Sequence, residues 1–120
     1  MAIAAAAVNN FKTYTKVVGL TTDVVYTAPA GYVGVFLLAQ CSNISDSIHT
    51  VTCYHNRVSS GTTVSTEIVK DFSIPPNDSA NLLSGRLILE TGDFITISGS
   101  ASNSPAKIKF ITSILETSNQ

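Results

Sequence analysis

Residues 71–99 read DFSIPPNDSANLLSGRLILETGDFITISG, and each short apolar run in this stretch is closed by a turn sequence. The turn sequences are PPND at 75–78, SG at 84–85 and GD at 92–93. Strands of about five residues with such close turns are typical of small antiparallel sheets. The stretch therefore predicts an all-β fold.

The same pattern continues along the rest of the chain. Apolar runs separated by turn residues recur every 8–12 residues or so, and no segment of helical length has a helical apolar stripe. The sequence predicts a single antiparallel β-sandwich, jelly-roll-like, with about 8–10 short strands and almost no helix. The expected strands are 14–18, 23–28, 33–42, 48–56, 63–69, 72–74, 79–83, 86–90, 94–99 and 107–115.

A chain of 120 residues has the size of one domain. We assign residues 14–116 to the sandwich, 1–13 to a flexible N-terminal arm and 117–120 to a loose C-terminal tail. The opening MAIAAAAV lacks the positive charges of an export signal, so an arm is the better interpretation. Such an arm is disordered in a monomer, but in an assembly it could pack on a neighbouring subunit. The arm residues expected at that interface are Ile3, Val8 and Phe11.

Charged residues make up 12% of the chain, against about 25% in a typical domain, whereas 29 residues are Ser or Thr. Strands with few charges and many hydroxyls suit a sheet that contacts other protein, although Thr also favours strands in a plain monomer. We expect a homo-oligomer, with a trimer favoured.

The seven Lys and Arg residues are scattered along the chain, and no apolar run reaches the length of a membrane span. Nucleic acid and membrane are therefore not expected partners.

The predicted strand 33–42 is apolar on both faces. With a period of two, Phe36 and Leu38 share one of these faces. A strand of this kind is either central or covered on its outer side by a partner. We expect Phe36 and Leu38 to contact a partner, and we add Tyr32 and Tyr54 as further interface residues.

Cys41 and Cys53 would lie opposite each other if the strands 33–42 and 48–56 formed a hairpin. Facing Cβ atoms are about 4.5–5.5 Å apart, so a disulfide is geometrically possible. Because the chain shows no export signal, two buried free thiols are the favoured interpretation.

The sequence contains no recognisable catalytic or cofactor motif. His49 and His55 are about 20 Å apart along one strand and cannot share a metal ion, and the two cysteines have no companion pair at zinc-finger spacing. Asp93, in the turn at 92–93, most simply accepts hydrogen bonds from turn amides. We expect no enzyme, and no catalytic, cofactor or metal site.

Four segments carry a more specific pattern. They are VYTAPAG at 25–31 with the strand that follows at 33–39, VKDFSIPPNDS at 69–79, LLSG at 82–85 and LILETGD at 87–93. Together they cover most of residues 22–116 and resemble the small β-sandwich virion proteins of tailed bacteriophages.

The resemblance implies a structural protein located in the virion, with the major capsid protein or tail and neck proteins as partners. A head decoration (cement) protein that stabilises the capsid is the first hypothesis. A tail, neck, baseplate or fibre-base component is the second. From another class, a carbohydrate-binding module for host attachment is the third, with Tyr32, Tyr54 and Asn56 as its cluster.

Overall fold

The computed structural model describes residues 9–118, which form nine strands and no helix. All strand pairs are antiparallel, and they make two sheets packed as a sandwich. The predicted all-β antiparallel sandwich is confirmed. The strands are β1 (Asn9–Val18), β2 (Asp23–Thr27), β3 (Tyr32–Asn43), β4 (His49–Ser59), β5 (Thr62–Ile74), β6 (Asp78–Asn81), β7 (Leu87–Leu89), β8 (Phe94–Gly99) and β9 (Ile108–Ser118).

Sheet A has the order β1-β9-β3, and β6 and β7 both pair with the far side of β3. Sheet B has the order β2-β8-β4-β5. Since β3 lies in sheet A and β4 in sheet B, the hairpin on which a Cys41–Cys53 disulfide would depend does not form. The chain instead crosses from one sheet to the other between these two strands.

Asn43 organises this crossing. Its side-chain nitrogen donates to the carbonyls of Ser47 and Ile74 at 2.7 and 3.0 Å, and its side-chain oxygen accepts from the Ser45 amide and hydroxyl. An Asn that bonds its own loop in this way fixes a turn that sequence spacing alone does not show. The buried amide also joins the loop to the end of β5.

The core lies between the two sheets. Gly34 marks its tightest point, because a Cβ at this position would lie 2.8 Å from the Tyr26 ring. The residues with the largest fully buried apolar side chains are Phe36, Phe110, Ile74, Leu89, Ile95, Ile97, Ile108, Ile114, Val18 and Val51.

A β-bulge in β3 changes which residues face the core. Phe36 pairs with Ile114 of β9 and Leu38 pairs with Ser113, so Leu37 is an extra residue without a partner on β9. Phe36 is 1% exposed and belongs to the core, whereas Leu38 points outward. The prediction that Phe36 contacts a partner is therefore wrong, because a strict period of two does not hold across a bulge.

The sheet begins earlier along the chain than predicted. Strand β1 starts at Asn9, and residues 9–13 pair with β9 instead of forming an arm. Thr117 and Ser118, assigned to the loose tail, belong to β9. Residues 1–8, which include Ile3 and Val8, and residues 119–120 lie outside the described residues.

Strand β5 is continuous where two strands were predicted. Asp71, at the predicted break, has a positive φ of 47°, and the register with β4 shifts near this point. The Thr52 hydroxyl of β4 accepts a hydrogen bond from the Asp71 amide at 3.0 Å. The strand therefore bends at Asp71 without ending.

Candidate assembly surfaces

The outer face of sheet A carries a row of apolar side chains that runs from β1 to β7. Phe11 of β1 pairs with Leu115 of β9. Val35 of β3 pairs with Leu115 on one side and with Ile88 of β7 on the other. Phe11 and Ile88, at the two ends, are 76% and 59% exposed. We call these four residues the apolar row.

The other outward-facing residues of sheet A are mostly hydroxyl-bearing or apolar. Lys109 is the one charged residue among those in the strands, and it lies at the end of β9 away from the apolar row. Arg86, just before β7, borders the face, where it lines a surface cavity with Leu38 and Asn81. Depletion of charge and enrichment in large apolar groups distinguish the centre of a protein interface from ordinary surface. We call the apolar row together with the outward-facing strand residues face A. The latter are Asn9, Thr13, Thr15, Val17, Val33, Leu38, Gln40, Ser42, Ser79, Asn81, Lys109, Ile111, Ser113 and Thr117.

The outer face of sheet B has a different character. Tyr54 of β4 lies between Thr96 of β8 and Glu67 of β5. The Asn56 side chain donates to the Thr96 hydroxyl at 3.1 Å and accepts from the Ser65 hydroxyl at 2.6 Å. Polar groups on this face thus bond to one another.

Within residues 9–118, each sheet ends in a long strand with one unpaired side. There, strand β1 pairs with β9 alone, and β5 pairs with β4 alone. The β4–β5 hairpin is exposed throughout residues 57–67, where it projects beyond the packed core. Unpaired backbone amides and carbonyls on an edge strand can add a strand from another chain.

A buried polar network holds β1 in place directly behind the apolar row. The Glu116 carboxylate of β9 accepts a hydrogen bond from the Tyr26 hydroxyl at 2.7 Å, and the Lys12 ammonium lies 3.2 Å away. Glu116 is 3% exposed, so these two partners replace the water that its charge requires. The network connects β1, β9 and β2, and therefore joins the edge of sheet A to sheet B.

The network also shifts two ionisation equilibria. The hydrogen bond to Glu116 is the main cause that raises the pKa of Lys12 above its ordinary value. Burial, followed by the hydrogen bond to the same carboxylate, raises the pKa of Tyr26. Both shifts keep the donors protonated beside the carboxylate.

Cys41 and Cys53 are buried free thiols, as favoured from the sequence. Cys41 lies on β3 in sheet A and Cys53 on β4 in sheet B, so they are not cross-strand neighbours. Burial raises the pKa of each thiol to about 12. A thiol so far from the thiolate form is a poor nucleophile for disulfide exchange.

The structure separates the predicted interface residues. Leu38 and Phe11 lie on face A, but Tyr32 begins β3 in sheet A while Tyr54 lies on sheet B. The proposed sugar-binding cluster of Tyr32, Tyr54 and Asn56 is therefore not assembled, and Asn56 is buried.

Sequence reasoning missed three of the four residues in the apolar row. Ile88 and Leu115 lie on strands that alternate regularly, but no local signal shows that these strands are neighbours. Val35 lies on β3, where the bulge after Phe36 also hides which face points outward. The strand order and the position of the bulge are both needed to find the row.

Asp93 has the predicted role in its turn. Its carboxylate accepts from the Glu90 amide at 3.0 Å and, across the sheet, from the Val58 amide at 3.0 Å. His55 lies 3.9 Å from the same carboxylate.

Across residues 9–118, His, Cys, Asp and Glu form no group of three suited to a metal ion. No helix long and apolar enough to cross a membrane occurs in the same residues.

Comparison with solved structures gives a match over the whole chain. The structure described as "Bacillus endospore appendages form a novel family of disulfide-linked pili" has a TM-score of 0.56 and 13% sequence identity. The match covers 100% of this chain and 98% of that chain. No family model and no curated protein matches.

This finding corrects the functional prediction made from the sequence. The similar structure is a bacterial appendage protein and not a phage protein, so the interpretation as a phage virion component is contradicted. At this level of identity the similarity shows the fold alone.

Proposed function

We propose that this chain is a non-enzymatic structural protein that assembles with further copies of itself. Face A is the observation that carries the proposal, because it is broad, contains the apolar row and carries few charges, with Lys109 in its strands and Arg86 at its border. A monomer exposes such a surface at a cost in solubility, whereas an assembly buries it.

The structural neighbour supports this proposal. That structure is described as a pilus protein, pili are polymers of repeated subunits, and its chain matches this one nearly from end to end. We also interpret the strand order as jelly-roll connectivity, since the chain passes repeatedly between the two sheets and each sheet interleaves early and late strands.

A polymer requires a second kind of contact besides a self-complementary face. A contact between two identical patches forms a closed dimer, whereas a contact between two different patches can add subunits indefinitely and so form a polymer. The unpaired edges of β1 and β5 lie in different sheets and offer such a heterologous contact. The expected trimer remains a prediction.

An assembly of this chain would not be linked by disulfides. Its two cysteines, Cys41 and Cys53, are both buried and face the core. The proposed assembly thus differs from that of the structural neighbour, whose pili are disulfide-linked.

Sedimentation velocity and negative-stain electron microscopy of the full-length purified protein, over a range of concentrations, test this proposal. We expect species larger than the monomer that increase with concentration and persist when a reducing agent is added. A monomer at every concentration would contradict the proposal. Dissociation of the larger species by the reducing agent would contradict the statement that the assembly is not linked by disulfides.

A further inference from the structure

We propose that face A packs against face A of a second copy, related by a two-fold axis that runs parallel to the strands. The inference rests on the proposed function, and it specifies which surface forms the contact and in which orientation. It is carried by the arrangement of the apolar row and Lys109 on the sheet.

The area of face A is sufficient for a stable contact. Strands lie about 4.8 Å apart and rise about 3.3 Å per residue. Strands β1, β9 and β3 each have about ten residues, and the short strands β6 and β7 together form a fourth column beside β3, so the face presents roughly 600 Å². Two such faces bury roughly 1,200 Å², which is at the lower end of the range for specific, stable interfaces. The exposed rings and methyl groups of Phe11 and Ile88 add to this area because they project above the sheet.

The apolar row decides the direction of the axis. The row crosses the strands near one end of the face, at Phe11 close to the start of β1. Residues that pair across neighbouring strands form a row, and the rows follow one another along the strand direction. A two-fold axis along the strands leaves the position of each row in that direction unchanged, so it places the apolar row of one copy on the apolar row of the other. Phe11 then lies opposite the partner's Ile88, and Leu115 lies opposite the partner's Val35.

An axis across the strands, through the middle of the face, gives a poorer match. It reverses the order of the rows along the strands about the row that contains Thr13, Ser113 and Leu38, so the apolar row meets the row that contains Thr15, Ile111 and Gln40. Leu115 would then lie on the partner's Ile111, but Phe11 and Val35 would lie on the partner's Thr15 and Gln40. Two of these apolar side chains would thus cover polar groups, so less apolar surface would be buried against apolar surface. With the axis along the strands, the apolar side chains cover one another and Lys109 lies opposite the hydroxyl of the partner's Ser42.

Cysteine cross-linking tests the predicted orientation. Two full-length variants are prepared, Phe11→Cys and Ile88→Cys, and each is oxidised alone and in an equimolar mixture. Both positions are exposed, and the buried native thiols give little background, which the oxidised parent protein measures. Circular dichroism verifies that each variant keeps the sheet fold.

We expect covalent dimers mainly in the mixture, with little cross-linking of either variant alone. Preferential cross-linking of Phe11→Cys with itself would overturn the axis along the strands. If the parent protein forms larger species in sedimentation but the mixture does not cross-link, face A is not the contact and the inference fails while the proposed function stands. If the parent protein stays monomeric, both fail.

Discussion

Tyr26 shows how a single buried hydroxyl connects the two sheets. It donates to the Glu116 carboxylate at 2.7 Å, and its ring approaches Gly34 so closely that a larger residue has no room there. Its burial was not evident from the sequence, because the acceptor on β9 is 90 residues away. Local patterns, in contrast, were sufficient for Asp93, whose acceptor role depends on the turn that contains it.

We expect Tyr26→Phe to lower the free energy of unfolding by about 1.5–3 kcal/mol, because it removes a hydrogen bond to a charged group and leaves the buried carboxylate short of a donor. Tyr54→Phe is the matched control, since Tyr54 is half-buried on the outer face of sheet B and its hydroxyl makes no hydrogen bond to any described residue. Urea denaturation of both variants measures the difference. Equal stability of the two variants would contradict the role assigned to the network.

The buried thiols predict how stability depends on alkaline pH. The pKa of Cys41 and of Cys53 is raised from an ordinary 9.0 to about 12 by burial in the folded protein. Above pH 9 the unfolded chain loses these protons while the folded chain keeps them, so stability falls as pH rises from 9 towards 12.

Replacement of both cysteines by alanine should make this alkaline fall shallower. Thermal melts of the parent protein and the double variant at several pH values between 8 and 11 measure the two slopes. Because the alanines leave small cavities, the double variant is expected to melt lower at pH 8; the comparison concerns the slopes alone. Identical slopes would show that the thiols ionise alike in the folded and unfolded chains.

Among the elements, β3 shows where periodicity in the sequence is reliable and where it fails. The position and length of this strand were predicted closely, and so was the apolar character of both its faces. The inward face was assigned wrongly at Phe36 because the extra residue at Leu37 reverses the alternation, and nothing in an apolar run marks a bulge. The same limitation explains the missed continuity of β5 through Asp71.

The bulge yields a prediction at the scale of this strand. Deletion of one residue of the Leu37-Leu38 pair leaves Phe36 inward, the remaining leucine outward and Ala39 inward, so the strand alternates without interruption. We expect this variant to fold and to unfold cooperatively on heating.

Deletion of Ser42 provides the control within the same strand. It places either Cys41 or Asn43 on the outer face, and both are buried in the parent protein. We expect this second variant to lose its cooperative thermal transition, because the crossing loop loses the Asn43 hydrogen bonds or the core loses packing. If the variant that lacks Ser42 folded and the variant that lacks one leucine did not, the assigned register of β3 would be contradicted.

At the scale of the whole molecule, the functional surface depends on the strand order more than on any segment. The apolar row gathers Phe11, Val35, Ile88 and Leu115 from β1, β3, β7 and β9. The low charge and high hydroxyl content of the chain predicted a surface that contacts protein. The location of this surface depends on the pairing of strands that are far apart in sequence.

The most direct test of this account is sedimentation velocity on the parent protein and two double variants at matched concentration. Phe11→Ser with Ile88→Ser changes the two exposed ends of the apolar row, whereas Ile48→Ser with Val64→Ser changes two comparably exposed apolar residues outside face A. We predict that the parent protein and the Ile48, Val64 variant form larger species, and that the Phe11, Ile88 variant remains a folded monomer. Association of the Phe11, Ile88 variant equal to that of the parent protein would contradict assembly through face A.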